Sequence, residues 1–278
     1  MNRIDARFAA LRTRGQKGFI AYICAGDPNL SATAGFARHF ERAGVDVLEL
    51  GVPFSDPLAD GLVNQLAAER ALRSGTTVDG VLKTVADLRR GGSEIPIVLY
   101  IYYNLVHRRG VNRFATDAAA AGVDGVLALD LPPEEAGEYE RAMRQNGLCP
   151  IYLVAPTTPA ARIREICRHA SGFVYYVSRE GVTGMRKTLP AALASKVATI
   201  RRHTNLPVAV GFGVSNPQQA RMVARHCDAV VVGSAIVNEI AKGRGPRAVV
   251  RFLLPMIQAV KNSSAGPASC LSSGERHG

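Results

Sequence analysis

Eight short apolar runs, helical-period stretches between them, and a strand-opening phrase that occurs three times predict a closed parallel (β/α)8 barrel for this 278-residue chain. The runs cover 19–24, 45–50, 95–102, 123–129, 150–155, 172–177, 206–211 and 228–233, and each is rich in β-branched or aromatic residues. A strand that is apolar almost throughout is covered on both faces, the condition of a parallel sheet wrapped by helices. The recurring phrase starts at Ala43-Gly44-Val45-Asp46, returns at Ala121-Gly122-Val123-Asp124, and is echoed at His226-Cys227-Asp228. In the first two copies a helix-ending Gly leads into a buried strand. A doubly wound open sheet is the rival for such alternation; eight repeats in about 260 residues favour closure.

The elements follow in order. Residues 2–14 read as a basic amphipathic helix ahead of the first repeat. Apolar residues at helical spacing then mark 31–43, 78–90, 111–121, 134–146, 158–169, 190–203 and 216–225. The last of these has Ser215-Asn216 as its capping signal and Pro217 in its first turn. Beyond Lys261 the chain is rich in Ser and Gly, so 1–261 is expected to form one barrel domain and 262–278 a disordered tail.

An apolar share of 47% suffices for a large core. The formal charge of +11 attracts an anionic partner: nucleic acid, acidic lipid or a phosphorylated small molecule. No nucleic-acid reader motif and no basic stripe interleaved with aromatics is present, so nucleic acid is not expected. The charged start Met1 to Arg7 lacks the apolar stretch of a secretory signal, and no apolar run is long enough to span a bilayer. Cys24, Cys149, Cys167, Cys227 and Cys270 are widely spaced and form no metal motif. A soluble protein of the reducing cytoplasm is the expectation, with no membrane partner. Arg3, Arg7, Arg12, Arg14, Arg89, Arg90, Arg108, Arg109, Arg201 and Arg202 are read mostly as a solvated basic surface.

In such a barrel, chemistry sits at the carboxyl ends of the strands. Glu49 interrupts an apolar strand there, where an ionised carboxylate is costly and its pKa should rise, which suits acid–base work. Asp60 follows across a loop stiffened by Pro53 and Pro57, so two carboxylates can divide proton donation and removal. Taken by itself, Asp60 reads more readily as a solvated loop or capping residue than as a catalytic one, and Asp56-Pro57 is a common turn start. Glycine-bearing turns at 181–184, 211–215 and 233–234 follow consecutive strands. Together they suggest a backbone cradle for a phosphate ester.

The segment Leu48-Glu49-Leu50-Gly51-Val52-Pro53-Phe54-Ser55-Asp56-Pro57-Leu58-Ala59-Asp60-Gly61 resembles the signature of the tryptophan synthase alpha subunit family over its whole length. The likeness extends to Gly26-Asp27-Pro28, Tyr102 with Asn104-Leu105, Asp130-Leu131-Pro132, 178–184, 206–213 and 233–237, in the family's order. The resemblance implies a lyase that splits indole-3-glycerol phosphate by retro-aldol reaction into indole and glyceraldehyde 3-phosphate, in tryptophan biosynthesis, with no cofactor or metal. It implies Glu49 as the group that takes the glycerol hydroxyl proton and donates to the ring carbon, and Asp60 as the holder of the ring N–H. The substrate-binding set on this basis is Tyr22, Tyr100, Tyr102, Leu129, Tyr175, Thr183, Gly184, Phe212, Gly213, Gly233 and Ser234. Within it, Gly184, Gly213 and Ser234 match the phosphate cradle, and Thr183 belongs to a loop that closes over the substrate. Pro53, Asp56, Pro57 and Asn104 match positions that face a pyridoxal-phosphate-dependent beta subunit in an alpha2beta2 assembly.

The sequence departs from the family at Leu62-Val63-Asn64, at Ala21 and Cys24, and at Tyr100 and Leu129, where the family carries an aliphatic and a small residue against the ring. Cys24 reads as a small buried residue. Two enlargements in a ring pocket are met by repacking of neighbours such as Leu153, or they mark a stand-alone or specialised homologue that cleaves an altered heteroaryl glycerol phosphate. A weakly catalytic activator of a beta subunit is the reading from a different class.

Overall fold

The computed structural model describes residues 1–177 and 189–263. Its strands are β1 (Gly18–Cys24), β2 (Val47–Gly51), β3 (Ile97–Ile101), β4 (Gly125–Ala128), β5 (Cys149–Pro150), β6 (Tyr152–Val154), β7 (Val174–Val177), β8 (Val208–Gly211) and β9 (Ala229–Val232). All pairings are parallel, in the order β5-β4-β3-β2-β1-β9-β8-β7-β6. The two ends of that order are one piece of chain. β5 pairs with β4, β6 pairs with β7, and only Ile151 separates them, so the run 149–154 joins both ends and the sheet curls into the expected barrel of eight strands.

Although both faces are apolar, they bury different partners. Ile20, Val47, Val98, Leu127, Ile151, Phe173, Ala209 and Val231 pack together inside the barrel. Their neighbours along the strands, among them Ala21, Leu48, Leu99, Val126, Val174 and Val210, pack against the surrounding helices. This is period-two alternation that hydrophobicity alone does not display.

The helices are α1 (Arg3–Thr13), α2 (Leu30–Arg42), α3 (Leu62–Arg73), α4 (Val78–Arg90), α5 (Tyr103–Arg109), α6 (Val111–Ala121), α7 (Gly137–Gln145), α8 (Ala160–His169), α9 (Leu189–Arg201), α10 (Pro217–Ala224), α11 (Ser234–Ala241) and α12 (Pro246–Lys261). Among the described residues no helix is long and apolar enough to cross a membrane. Helices α3, α5 and α12 were not predicted. In α3 the buried face is only Ala67, Ala68 and Ala71, while Leu62, Leu66 and Leu72 point outward, and Gly61 provides no side-chain cap. Such a helix carries no readable apolar stripe. From residue 264 the expected tail lies outside the described residues.

Helix α1 closes the amino end of the barrel by inserting Ile4, Phe8 and Leu11 into the interior cluster. Gly125 and Gly172 leave the space for Ile4: a Cβ on either would lie 3.0 or 3.3 Å from its side chain.

The recurring sequence phrase proves to be one device used three times. Asp46, Asp124 and Asp228 each stand immediately before or at the start of a strand. The backbone N–H of each donates to Phe19, Ile97 and Val208 O respectively, and those residues' N–H groups donate back to the aspartate Oδ2 at 2.7, 2.8 and 2.9 Å. Each carboxylate also takes a cation from the N-terminal segment: Arg7 at 3.6 Å, Arg3 at 3.1 Å and Lys17 at 3.7 Å. Lys261, Arg89 and Arg201 complete the three clusters. The reading of the arginines as solvated surface is therefore corrected for Arg3, Arg7 and Arg89, and for Arg109, which bridges Asp79 and Asp117, whereas Arg201 pairs with Asp228 and stays exposed. Arg12, Arg14 and Arg108 are exposed as expected. Burial opposes the charge on Asp124 and pushes its pKa up, against the stabilising N–H of Ile97 and the Arg89 and Arg3 guanidinium groups.

Candidate active site

The interior side chains change character toward the carboxyl end of the barrel. Below lie Val47, Val98 and Ile151; above them come Tyr22 on β1, Glu49 on β2, Tyr100 on β3 and Tyr175 on β7. Two glycines make room for these rings. A Cβ on Gly51 would run into the Tyr22 hydroxyl, and one on Gly211 would lie 2.8 Å from the Tyr175 hydroxyl. Tyr22 and Tyr100 meet edge to face at 5.0 Å with an interplanar angle of 69°.

Glu49 is 1% exposed, and neither carboxyl oxygen has a hydrogen-bond partner among the described residues. Burial, then the charge of Asp60, pushes its pKa up to about 8. A side chain with such a pKa exchanges a proton near neutrality, which a surface glutamate does not. Burial likewise raises the pKa of Tyr22, Tyr100 and Tyr175, so these hydroxyls stay protonated donors.

Asp60 sits on the β2–α3 loop and is held from β3. Tyr100 donates its hydroxyl to Oδ1 at 3.0 Å, and Tyr102 donates to Oδ2 at 2.9 Å. The Tyr102 hydroxyl in turn accepts the N–H of Ala59 at 2.9 Å, while its ring stacks on Phe54 at 5.1 Å. Asn64 in the first turn of α3 reaches Oδ1 at 3.4 Å, and Gln65 donates to the Asp60 carbonyl at 2.9 Å. Asn64 was not among the predicted residues; its signal is a polar side chain four positions after Asp60. Arg70, also unpredicted, grips buried Asp27 through two bonds of 2.8 and 2.7 Å, tying α3 to the loop after β1.

The structure thus brings Glu49, Asp60, Tyr22, Tyr100, Tyr102 and Tyr175 to one mouth, with half-buried Leu129 and Leu153 packed against the interior cluster beside Tyr100. Gly213, at φ +61° a position that favours glycine, lies just beyond β8. Gly233 and Ser234 open α11 directly after β9, so the free N–H groups of a helix start lie at the same end. Phe212 is buried among residues packed outside the strands, not in the interior cluster. Thr183 and Gly184 fall outside the described residues. Of the positions matched to a partner interface, Asp56 and Asn104 are exposed, Pro57 is half-buried and Pro53 is buried. Cys24 is 3% exposed with a thiol pKa raised by burial, an inert packing residue as expected.

A parallel barrel with a buried carboxyl and a tethered carboxylate at its mouth is a (β/α)8 fold with a candidate acid–base site. The family model described as tryptophan synthase alpha chain matches residues 8–264. The tryptophan synthase alpha chain of Opitutus terrae is 54% identical over 245 residues, 88% of this chain and 92% of that one; that of Geotalea daltonii is 48% identical over 261 residues, 94% and 98% of the two chains. Among solved structures, the tryptophan synthase alpha subunit of Legionella pneumophila superposes with a TM-score of 0.86 at 40% identity, covering 94% of this chain and 98% of that one. A Mycobacterium tuberculosis tryptophan synthase structure gives 0.86 at 33% identity, with coverages of 94% and 99%. The chain belongs to the tryptophan synthase alpha chain family, and it is a lyase of tryptophan biosynthesis.

Proposed function

We propose that the chain cleaves indole-3-glycerol phosphate by retro-aldol reaction to indole and glyceraldehyde 3-phosphate. The observation that carries this reading is Glu49, a buried carboxyl without a hydrogen-bond partner among the described residues, facing the half-buried carboxylate of Asp60 at the barrel mouth. Glu49 gives a proton to the ring carbon that bears the glycerol chain, and the ring becomes an electron sink. The glycerol hydroxyl adjacent to that carbon loses its proton to Glu49, its C–O becomes the aldehyde carbonyl, and the C–C bond electrons return to the ring as indole. One proton is given and one taken, so Glu49 ends as it began. Asp60 accepts the ring N–H, whose acidity grows as the ring is protonated; an interaction that strengthens toward the transition state lowers the barrier. The phosphate lies against the backbone of Gly213, Gly233 and Ser234, where a helix start favours an anion, and Thr183 and Gly184 are assigned to the same end by sequence.

Asp56 and Asn104, exposed beside the mouth with Leu58 at 89% exposure, support docking of a pyridoxal-phosphate-dependent beta subunit that receives the indole. A second reading, an altered heteroaryl ring, is favoured by one observation: Tyr100 and Leu129 are both bulky at the wall that would face the ring.

The test is incubation with indole-3-glycerol phosphate, alone and with a beta subunit. Release of indole that Glu49→Gln abolishes supports the reading. No turnover under either condition refutes indole-3-glycerol phosphate as substrate.

A further inference from the structure

We propose that Tyr100 is a positioning residue whose hydroxyl, together with that of Tyr102, fixes the Asp60 carboxylate so that the described residues leave a single acceptor site, on Oδ2, for the ring N–H of the substrate. The inference rests on the reading of the site above and adds to it a role for a residue that touches the second carboxylate rather than the first.

An ionised carboxylate offers two acceptor sites per oxygen. Oδ1 of Asp60 takes the Tyr100 hydroxyl at 3.0 Å and the Asn64 amide at 3.4 Å, and so is filled; Oδ2 takes only Tyr102 at 2.9 Å among the described residues. The donors stand on β3 and just after it, and the acceptor stands on a loop. Tyr100 is locked on β3 by its edge-to-face contact with Tyr22 and by packing that spans the barrel interior and the Tyr22, Cys24 and Ala67 group. Asp60 belongs to a loop whose neighbours Leu58 and Ala59 are exposed. A hydroxyl on a strand therefore sets where a loop carboxylate stands, and a charge-assisted bond is the strong kind. The aromatic wall that narrows the ring pocket and the donor that orients Asp60 are the same side chain, which gives Tyr100 a reason to be a phenol rather than an aliphatic residue.

Position matters to both carboxylates. Glu49 is faced by Tyr22 from β1, Tyr100 from β3, Tyr175 from β7 and Asp60 from the loop, and the Asp60 charge helps to hold the Glu49 proton. If the Tyr100 tether is cut, Asp60 loosens and its influence on Glu49 weakens.

Tyr100→Phe in the full chain removes the hydroxyl and keeps the ring. Tyr100→Met fills the same wall with neither, and must show the same losses if the hydroxyl is responsible. With indole-3-glycerol phosphate, kcat falls about tenfold while KM changes less than about threefold, the loss of one hydrogen bond to a charged group that matters most as the ring is protonated. The Glu49 ionisation in the pH dependence of kcat/KM moves below its wild-type position near 8. Amide hydrogen exchange across residues 56–61 speeds up about tenfold at unchanged midpoint of global unfolding. A Tyr100→Phe protein with wild-type kcat, pH profile and exchange overturns the proposal. Should the wild type not turn over this substrate, the reading of the reaction fails, and the exchange measurement still decides the tether by itself: faster exchange sustains it, unchanged exchange ends it.

Discussion

Glu49→Gln preserves shape and removes a charge, so its effect on stability isolates the cost of ionising a carboxyl inside the barrel. In the unfolded chain Glu49 titrates near 4.5; in the folded chain burial and the Asp60 charge move this to about 8. Between those values the folded protein holds a proton that the unfolded chain has released, so stability falls as pH rises across the window, and the loss is complete above about 8. At about 1.4 kcal/mol per pH unit, the loss between pH 5 and pH 9 amounts to about 4 kcal/mol. A glutamine at the same position does not titrate. Urea unfolding of wild type and Glu49→Gln at pH 5, 7 and 9 should therefore show near-equal stability at pH 5 and a variant more stable by about 4 kcal/mol at pH 9. Other titrating groups are common to both proteins and cancel in the difference. A stability difference that does not change with pH would refute the assignment of an unpartnered, proton-holding carboxyl at this position.

Three further outcomes follow from contacts described above. Gly211→Ala places a methyl group 2.8 Å from the Tyr175 hydroxyl, so the ring is pushed toward the mouth; activity should drop at least tenfold while circular dichroism stays unchanged. Ile4→Ala empties the plug at the amino end and should cost about 2–5 kcal/mol of unfolding free energy, measured by chemical denaturation, with kcat retained. Asp124→Ala leaves the Ile97 N–H without its acceptor and the largely buried Arg89 guanidinium with only carbonyl partners and no paired carboxylate, for a loss of about 3–5 kcal/mol by the same method, well above what an exposed ion pair such as Arg168–Glu165 supplies.

Most of the barrel was legible because its strands are covered on both faces and its glycines mark where helices end. What hid α3 was its composition: an Ala-only buried face and outward leucines invert the usual stripe. The break at Ile151 was hidden too, since strand pairing on either side of one residue leaves no trace in a run that is apolar throughout. In the site, Glu49 announced itself as a charge in an apolar strand. Asp60 was ambiguous until its partners were known, because Tyr100 and Tyr102 stand 40 and 42 positions away and only the strand geometry brings their hydroxyls onto it. The basic residues misled for the same reason: the acids that bind Arg3 and Arg7 come from distant strands.

The three aspartate clusters also bear on how the chain assembles. Arg3 pairs across 121 positions with Asp124, and Asp46 across 215 with Lys261, while Lys17 waits for Asp228. Of the cations in and just after the first helix, Arg7 and Arg3 find their partners before β2 and β4, whereas Lys17 gains its partner only when the last strand has joined the first, so the plug is fully seated only when the ring closes. Contacts of such sequence separation slow folding, since the entropy of closing the loop is spent before the contact rewards it. Added salt, which screens exposed cations before they are enclosed, should act on the rate of this final closure more than on the lifetime of the finished barrel.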